Sequence, residues 1–166
     1  GRRLPAGPLR EPLPCAIKRA DGFILIGKDK HNVRAMLPAD KPVFAASLVV
    51  PDSWVANTKT PYVAFSGLAR PDKFKGSLEG KGLNIVSWQT YPDHYQYTEA
   101  ELAELKAIAE QQNARLITTA KDAVRIPHSF MQSSPIDILP IETKWEDQAA
   151  LGKFLKERLC DKSATS

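Results

Sequence analysis

A chain of 166 residues, 43% hydrophobic and 25% charged, is long enough for one ordinary domain and too apolar to remain disordered. Its net charge of +4 comes from basic residues scattered among acidic ones, with no block of like charges, so no nucleic-acid partner is expected. No apolar stretch approaches the roughly 20 residues of a membrane span, and Cys15 and Cys160 lie too far apart for Cys-x-x-Cys zinc or redox chemistry.

The chain opens on Gly. Residues 1–12, rich in Pro and Gly, read as a shaped loop from the middle of a protein, so a portion of a longer chain is expected. That stretch reads as a plain linker, or Arg10 followed by Glu11 reads as a buried or anion-facing pair. Residues 15–20 suit a short helix. Asp21-Gly22 then turns into Phe-Ile-Leu-Ile-Gly at 23–27, an apolar run that predicts a strand buried on both faces. Residues 28–41 are polar and loop-like or loosely helical. Pro42 introduces a second β run at 43–50, closed by Pro51-Asp52-Ser53.

A short buried strand is expected at 62–65, followed by Ser66-Gly67-Leu68-Ala69-Arg70 and by Pro71, which suits the first turn of a helix. The helix 71–78 would turn Phe74 and Leu78 inward and end near Gly80 and Gly82. Strand, tight turn and helix N-terminus in this order favour an anion. Arg70 there reads as an anion ligand or as a structural ion-pair partner.

Residues 83–88 form the next β run, and Pro92 disfavours a helical Tyr91. Thr98-Glu99-Ala100-Glu101 has the spacing of a capping box. It opens a helix at 99–112 with Leu102, Leu105, Ile108 and Ala109 on one face. Asp93 and His94 therefore fall on a loop just past the carboxyl end of a strand, the edge where open α/β sheets bind ligands. An imidazole there titrates near neutrality. By itself the Asp–His pair reads as a structural loop or as a functional one, and Tyr91, Tyr95 and Tyr97 as packing residues.

Beyond Asn113 come a strand at 115–119 and Ala120-Lys121-Asp122-Ala123-Val124-Arg125, where Lys121 and Asp122 suit the cap of a short helix. Residues 129–134 read as loop, 136–141 as an alternating β run, and 145–160 as an amphipathic helix using Trp145, Ala149, Leu151, Phe154, Leu155 and Leu159. Strands alternating with helices predict an α/β fold with a mostly parallel sheet and right-handed crossovers. Three strand ends, at 66–70, 91–94 and 118–122, then converge on one edge.

Other chemistries find little support. The Gly-rich run 76–82 closes a helix and is one residue short of a phosphate-binding loop. No Gly-x-Ser-x-Gly elbow occurs. His31 and His128 read as solvated loop residues, and no metal-ligand pattern is present.

Four blocks, in order, resemble the tetraacyldisaccharide 4'-kinase family. They are Leu-Pro-Ala-Gly-Pro-Leu-Arg-Glu-Pro at 4–12, Phe-Ser-Gly-Leu-Ala-Arg-Pro-Asp-Lys-Phe at 65–74, Tyr-Pro-Asp-His-Tyr-x-Tyr-Thr at 91–98 and Ile-Thr-Thr-x-Lys-Asp-Ala-Val-Arg at 117–125. The likeness is to the family's carboxyl-terminal portion. The family's other half carries the phosphate-binding loop, the acidic Mg²⁺ residues and the aspartate base.

The resemblance implies transfer of the ATP γ-phosphoryl group to the 4'-hydroxyl of the lipid A disaccharide 1-phosphate, at the cytoplasmic face of the bacterial inner membrane. It implies a three-layer α/β/α lobe, a two-stranded β-ribbon linker and remnants of a P-loop kinase lobe. Residues 1–41 would be the remnant, 42–60 the first ribbon strand and its connection, and 61–135 the second lobe. Residues 136–143 would be the returning ribbon strand, and 144–166 a helix on the kinase lobe.

By similarity His94 supports the catalytic aspartate across the cleft and Asp93 orients it. Arg10 and Arg70, with Lys121 and Asp122 behind them, meet phosphates; ATP and Mg²⁺ are bound mainly by the other half. One departure is Ala120, where the family usually has Glu before Lys-Asp. Two further readings compete: a non-catalytic module binding a phosphorylated or acylated ligand, and an orphaned interface exposing apolar surface on 23–26 and the last helix.

Overall fold

The computed structural model describes residues 10–55 and 57–163. Most of the turn-rich opening (residues 1–9) lies outside them, so the ordering expected there is not described. The chain divides into two units, residues 1–48 with 143–166, and residues 49–142.

In the first unit a short helix, α1 (Leu13–Arg19), precedes strand β1 (Phe23–Ile26) and a 3-10 turn (Val33–Met36). Helix carbonyls at a C-terminus need donors; here Lys41 Nζ donates to Ile17, Lys18 and Ala20 oxygens at 2.7, 3.0 and 2.6 Å. The 3-10 turn is nucleated by Asp29, whose carboxylate accepts from the Val33 and Arg34 amides at 2.7 and 2.8 Å. Those bonds hold the Asp29 carboxyl below its ordinary value.

Strand β1 pairs in parallel with β2 (Val43–Val49). It is an edge strand of the order β1-β2-β7, where β7 is Glu142–Trp145. It is not buried on both faces: Ile24 and Ile26, which share one face, are 51% and 61% exposed. The last helix, α6 (Gln148–Ser163), starts three residues later than the apolar spacing implies, because Trp145 belongs to β7 and the Asp147 carboxylate accepts from the Ala150 amide. Leu151 is buried and Phe154 packs on Phe44, whereas Leu155 and Leu159 are exposed.

The second unit is a parallel sheet in the order β4-β3-β5-β6, formed by β3 (Pro61–Ser66), β4 (Asn84–Thr90), β5 (Arg115–Thr119) and β6 (Ile136–Leu139). Successive β3 side chains point to opposite faces. Val63 and Phe65 join Leu102 and Leu105 of α3 (Glu99–Gln111), and Tyr62 and Ala64 join Phe74 and Leu78 of α2 (Pro71–Gly80). Helices on both faces of a buried central strand make the three layers. The chain is α/β with a mostly parallel sheet, as its sequence predicts.

Local chemistry sets the helix ends. The Thr98 hydroxyl accepts from the Glu101 amide while the Glu101 carboxylate accepts from the Thr98 amide, the capping box expected from the spacing. Gly82 and Asn113, both at positive φ, turn the chain after α2 and α3.

Two expectations need correction. Residues 129–134 do not form a loop: α5 (His128–Ser133) follows Pro127 at its N-cap, and Phe130 and Met131 pack on the core. The stretch 136–143, expected as a returning ribbon strand, divides in two: 136–139 form β6, and 142–143 belong to β7. Strand β6 pairs with β5, and the strand beside β2 is β7. An alternating pattern marks a strand but does not name its neighbour.

Candidate active site

Because β3, β4 and β5 run parallel, their carboxyl ends meet on one rim. There the Tyr91 amide donates to the Ser66 oxygen at 2.9 Å and the His94 amide to the Gly67 oxygen at 3.3 Å, tying the loop after β4 to the loop after β3. The third loop joins through Asp122, the third residue of α4 (Ala120–Ala123) and fully buried. Its carboxylate accepts from the Gly67 amide at 3.0 Å, the Thr119 hydroxyl at 2.7 Å and Arg125 at 3.2 Å. A buried charge persists only when paired and hydrogen-bonded, and Asp122 is both.

Gly67 permits this closeness. A Cβ there would meet the Pro92 oxygen at 2.9 Å, Tyr95 Cβ at 3.1 Å and Asp122 Oδ1 at 3.3 Å. Two of these neighbours are fixed parts of the packed rim, so relief requires backbone movement. Gly67→Ala is expected to cost about 2–3 kcal/mol in urea unfolding. A loss under about 0.5 kcal/mol would show that the loops separate freely.

His94 sits at φ +59°, a left-handed conformation that histidine adopts more readily than most non-glycine residues. Its side chain is 80% exposed, so the ring faces outward from the rim. Arg125 Nη2 lies 3.1 Å from Nδ1 of the ring. Asp93 Oδ1 accepts from the His94 amide at 3.1 Å, but Asp93 Oδ2 stands 3.8 Å from Nε2, beyond hydrogen-bond length. Asp93 thus braces the backbone, and the group on the ring is Arg125.

The three tyrosines pack, as expected: ring centroids of Tyr91, Tyr95 and Tyr97 lie 5.0–5.8 Å apart. The Tyr95 hydroxyl donates to Glu101 at 2.6 Å, which raises the Tyr95 value and lowers that of Glu101. The Tyr97 hydroxyl is buried beside the Asp122 carboxylate. Burial first, then the nearby Asp122 charge, raise its pKa well above the ordinary phenol value.

Of the residues singled out in the sequence, Asp93, His94 and Asp122 come together in one bonded cluster. Arg70 is exposed on the loop after β3, as the residue preceding α2, and Lys121 is exposed on α4, both at the same strand ends. Arg10 is exposed in the first unit and is not part of the cluster. Ala120, the departure from the family pattern, is the exposed first residue of α4. Arg125 was not singled out, although its spacing of three from Asp122 across a helical turn would have paired them. Among the described residues no group of three or more His, Cys, Asp or Glu could hold a metal ion.

A parallel sheet with helices on both faces and a histidine-bearing rim at its strand ends defines the class: an α/β domain of the open-sheet type. The chain belongs to the tetraacyldisaccharide-1-P 4'-kinase family, whose model matches residues 1–160. It is 37% identical over 155 residues to the tetraacyldisaccharide 4'-kinase of Gluconacetobacter diazotrophicus, covering 93% of this chain and 47% of that protein. It is 38% identical over 159 residues to the one from Hyphomonas neptunium, covering 93% of this chain and 45% of that protein. The crystal structure of "apo" form LpxK from Aquifex aeolicus in complex with ATP superposes with a TM-score of 0.64 at 25% identity, over 94% of this chain and 48% of that one. The chain spans about half the length of the curated relatives it matches, their carboxyl-terminal part.

Proposed function

We propose that this chain is the carboxyl-terminal portion of a kinase that transfers the ATP γ-phosphoryl group to the 4'-hydroxyl of tetraacyldisaccharide 1-phosphate. The observation that carries the reading is the rim: three loops locked through a buried carboxylate, holding one imidazole outward. Phosphoryl transfer is mostly positioning and charge stabilisation. A lobe that closes over such a reaction contributes a few fixed polar groups and excludes water.

In this reading His94 supports the catalytic aspartate of the other half of the enzyme, with Asp93 bracing its loop. Arg70 and Lys121 present cations to the phosphates of donor or substrate, and Arg10 is a further phosphate-contacting residue. Asp122 is assigned to holding the rim, since its carboxylate is buried and occupied. ATP and Mg²⁺ are held mainly by the other half. Residues 1–41 and the last helix are the remnant of that kinase lobe, and the exposed Ile24, Ile26, Leu155 and Leu159 fit a surface that packs on it.

The substrate places the enzyme at the cytoplasmic face of the inner membrane as a peripheral contact. No helix among the described residues is long and apolar enough to cross a membrane. The complete protein, incubated with ATP and tetraacyldisaccharide 1-phosphate, is expected to yield the 1,4'-bisphosphate. Absence of that product in the presence of Mg²⁺ would overturn the reading. Measurable affinity of this chain alone for the disaccharide 1-phosphate, with no turnover by the complete protein, would leave a binding module instead.

A further inference from the structure

We propose that Arg125 is the positioning residue of this rim. Anchored on the buried Asp122 carboxylate, it holds Nδ1 of His94 as an acceptor, so the neutral ring presents Nε2 outward as an N–H donor. Three observations carry this. A guanidinium has five donors and no acceptor, so its contact with Nδ1 at 3.1 Å requires a lone pair on that nitrogen. In a neutral imidazole only one nitrogen is protonated, and the bond made by one decides the state of the other. Arg125 itself is not free to turn away: its side chain is 13% exposed, and its Nη1 donates to Asp122 at 3.2 Å while Nη2 meets the ring.

The backbone supports the same orientation. The positive φ of His94, the bond from its amide to Gly67 and the bond to Asp93 fix where the Cα–Cβ vector points. One fork-shaped cation then spans from a fully buried carboxylate to an exposed ring. Only arginine has this reach and geometry; a lysine ammonium is a single point charge. The chemical consequence is that His94 acts through Nε2–H, donating to a carboxylate or phosphate oxygen brought to the rim. It does not take a proton at Nε2 in its resting neutral state.

That catalytic consequence rests on the kinase reading above, whereas the ring state is measurable without it. The test is a long-range proton–nitrogen correlation spectrum of the complete protein labelled with ¹⁵N-histidine, at a pH where the ring is neutral. His94 is assigned by the signals lost in His94→Asn. The expected spectrum shows Nδ1 with the shift of an unprotonated, pyridine-type nitrogen and Nε2 with that of a protonated, pyrrole-type one. A protonated Nδ1 at His94 in the unsubstituted protein overturns the proposal.

Arg125→Lys keeps a cation beside Asp122 but cannot span to the ring. It is expected to shift both His94 nitrogens toward the averaged values of exchanging tautomers and to lower kcat about tenfold to a hundredfold, with KM for ATP little changed. His94 shifts in Arg125→Lys identical to those of the unsubstituted protein also overturn it. Failure of the unsubstituted protein to phosphorylate the disaccharide would sink the kinase reading and leave the spectrum standing.

Discussion

His94→Ala in the complete protein is expected to lower kcat by about 100-fold or more, with unfolding by urea nearly unchanged. The size follows from what a positioned proton-transfer or hydrogen-bonding group contributes in a transition state, about 10²–10⁴-fold. The unchanged stability follows from the structure: the side chain is 80% exposed and belongs to neither hydrophobic cluster. Alanine adopts φ +59° slightly less readily than histidine, so His94→Gly is the companion variant. It relieves the backbone and still lacks the imidazole. Both variants losing activity together assigns the loss to the ring. Activity recovered in the glycine variant would assign it to the loop, and near-normal turnover in either would remove His94 from the mechanism.

The second large effect is on stability. Asp122→Ala is expected to cost about 3–5 kcal/mol, the usual consequence of removing one member of a buried charge pair. The substitution leaves the Gly67 amide, the Thr119 hydroxyl and the largely buried Arg125 guanidinium without their shared acceptor. A loss of that size is a large part of the 5–15 kcal/mol by which a domain is ordinarily stable. Asp122→Asn should cost less, since it keeps the shape and one acceptor oxygen. Urea titration of the two variants gives the comparison. A loss below about 1 kcal/mol for Asp122→Ala would mean that the three loops hold together without the carboxylate, and the locked-rim account would fail.

These two residues divide the work of the rim. Asp122 was singled out in the sequence beside Lys121 as a capping or phosphate-facing residue, and it does lie at a helix start, with its amide on the Thr119 hydroxyl at 3.2 Å. What no local pattern reveals is that its carboxylate reaches 55 positions back to the Gly67 amide. The same holds for the ring of His94, where the adjacent Asp93 was the natural orienting partner and Arg125, 31 positions on, takes that place. Sequence neighbours of a side chain are visible in a sequence. Spatial neighbours across parallel strands are not.

The amino-acid order alone determined the periodic elements and their caps. The inward pair Phe74 and Leu78, the Thr98–Glu101 box, the stop at Asn113 and the strand 115–119 each depend on spacing within one or two turns, where side chain and backbone interact locally. It also determined that three strand ends share an edge, because alternation of strand and helix enforces parallel pairing. Only the tertiary structure decided that 136–139 joins β5, that Ile24 and Ile26 face outward, and that a buried aspartate and an arginine hold the histidine. The physical reason is that strand partners, surface exposure and long-range ion pairs are set by which elements come to lie side by side, and the free energy that selects them belongs to the packed whole.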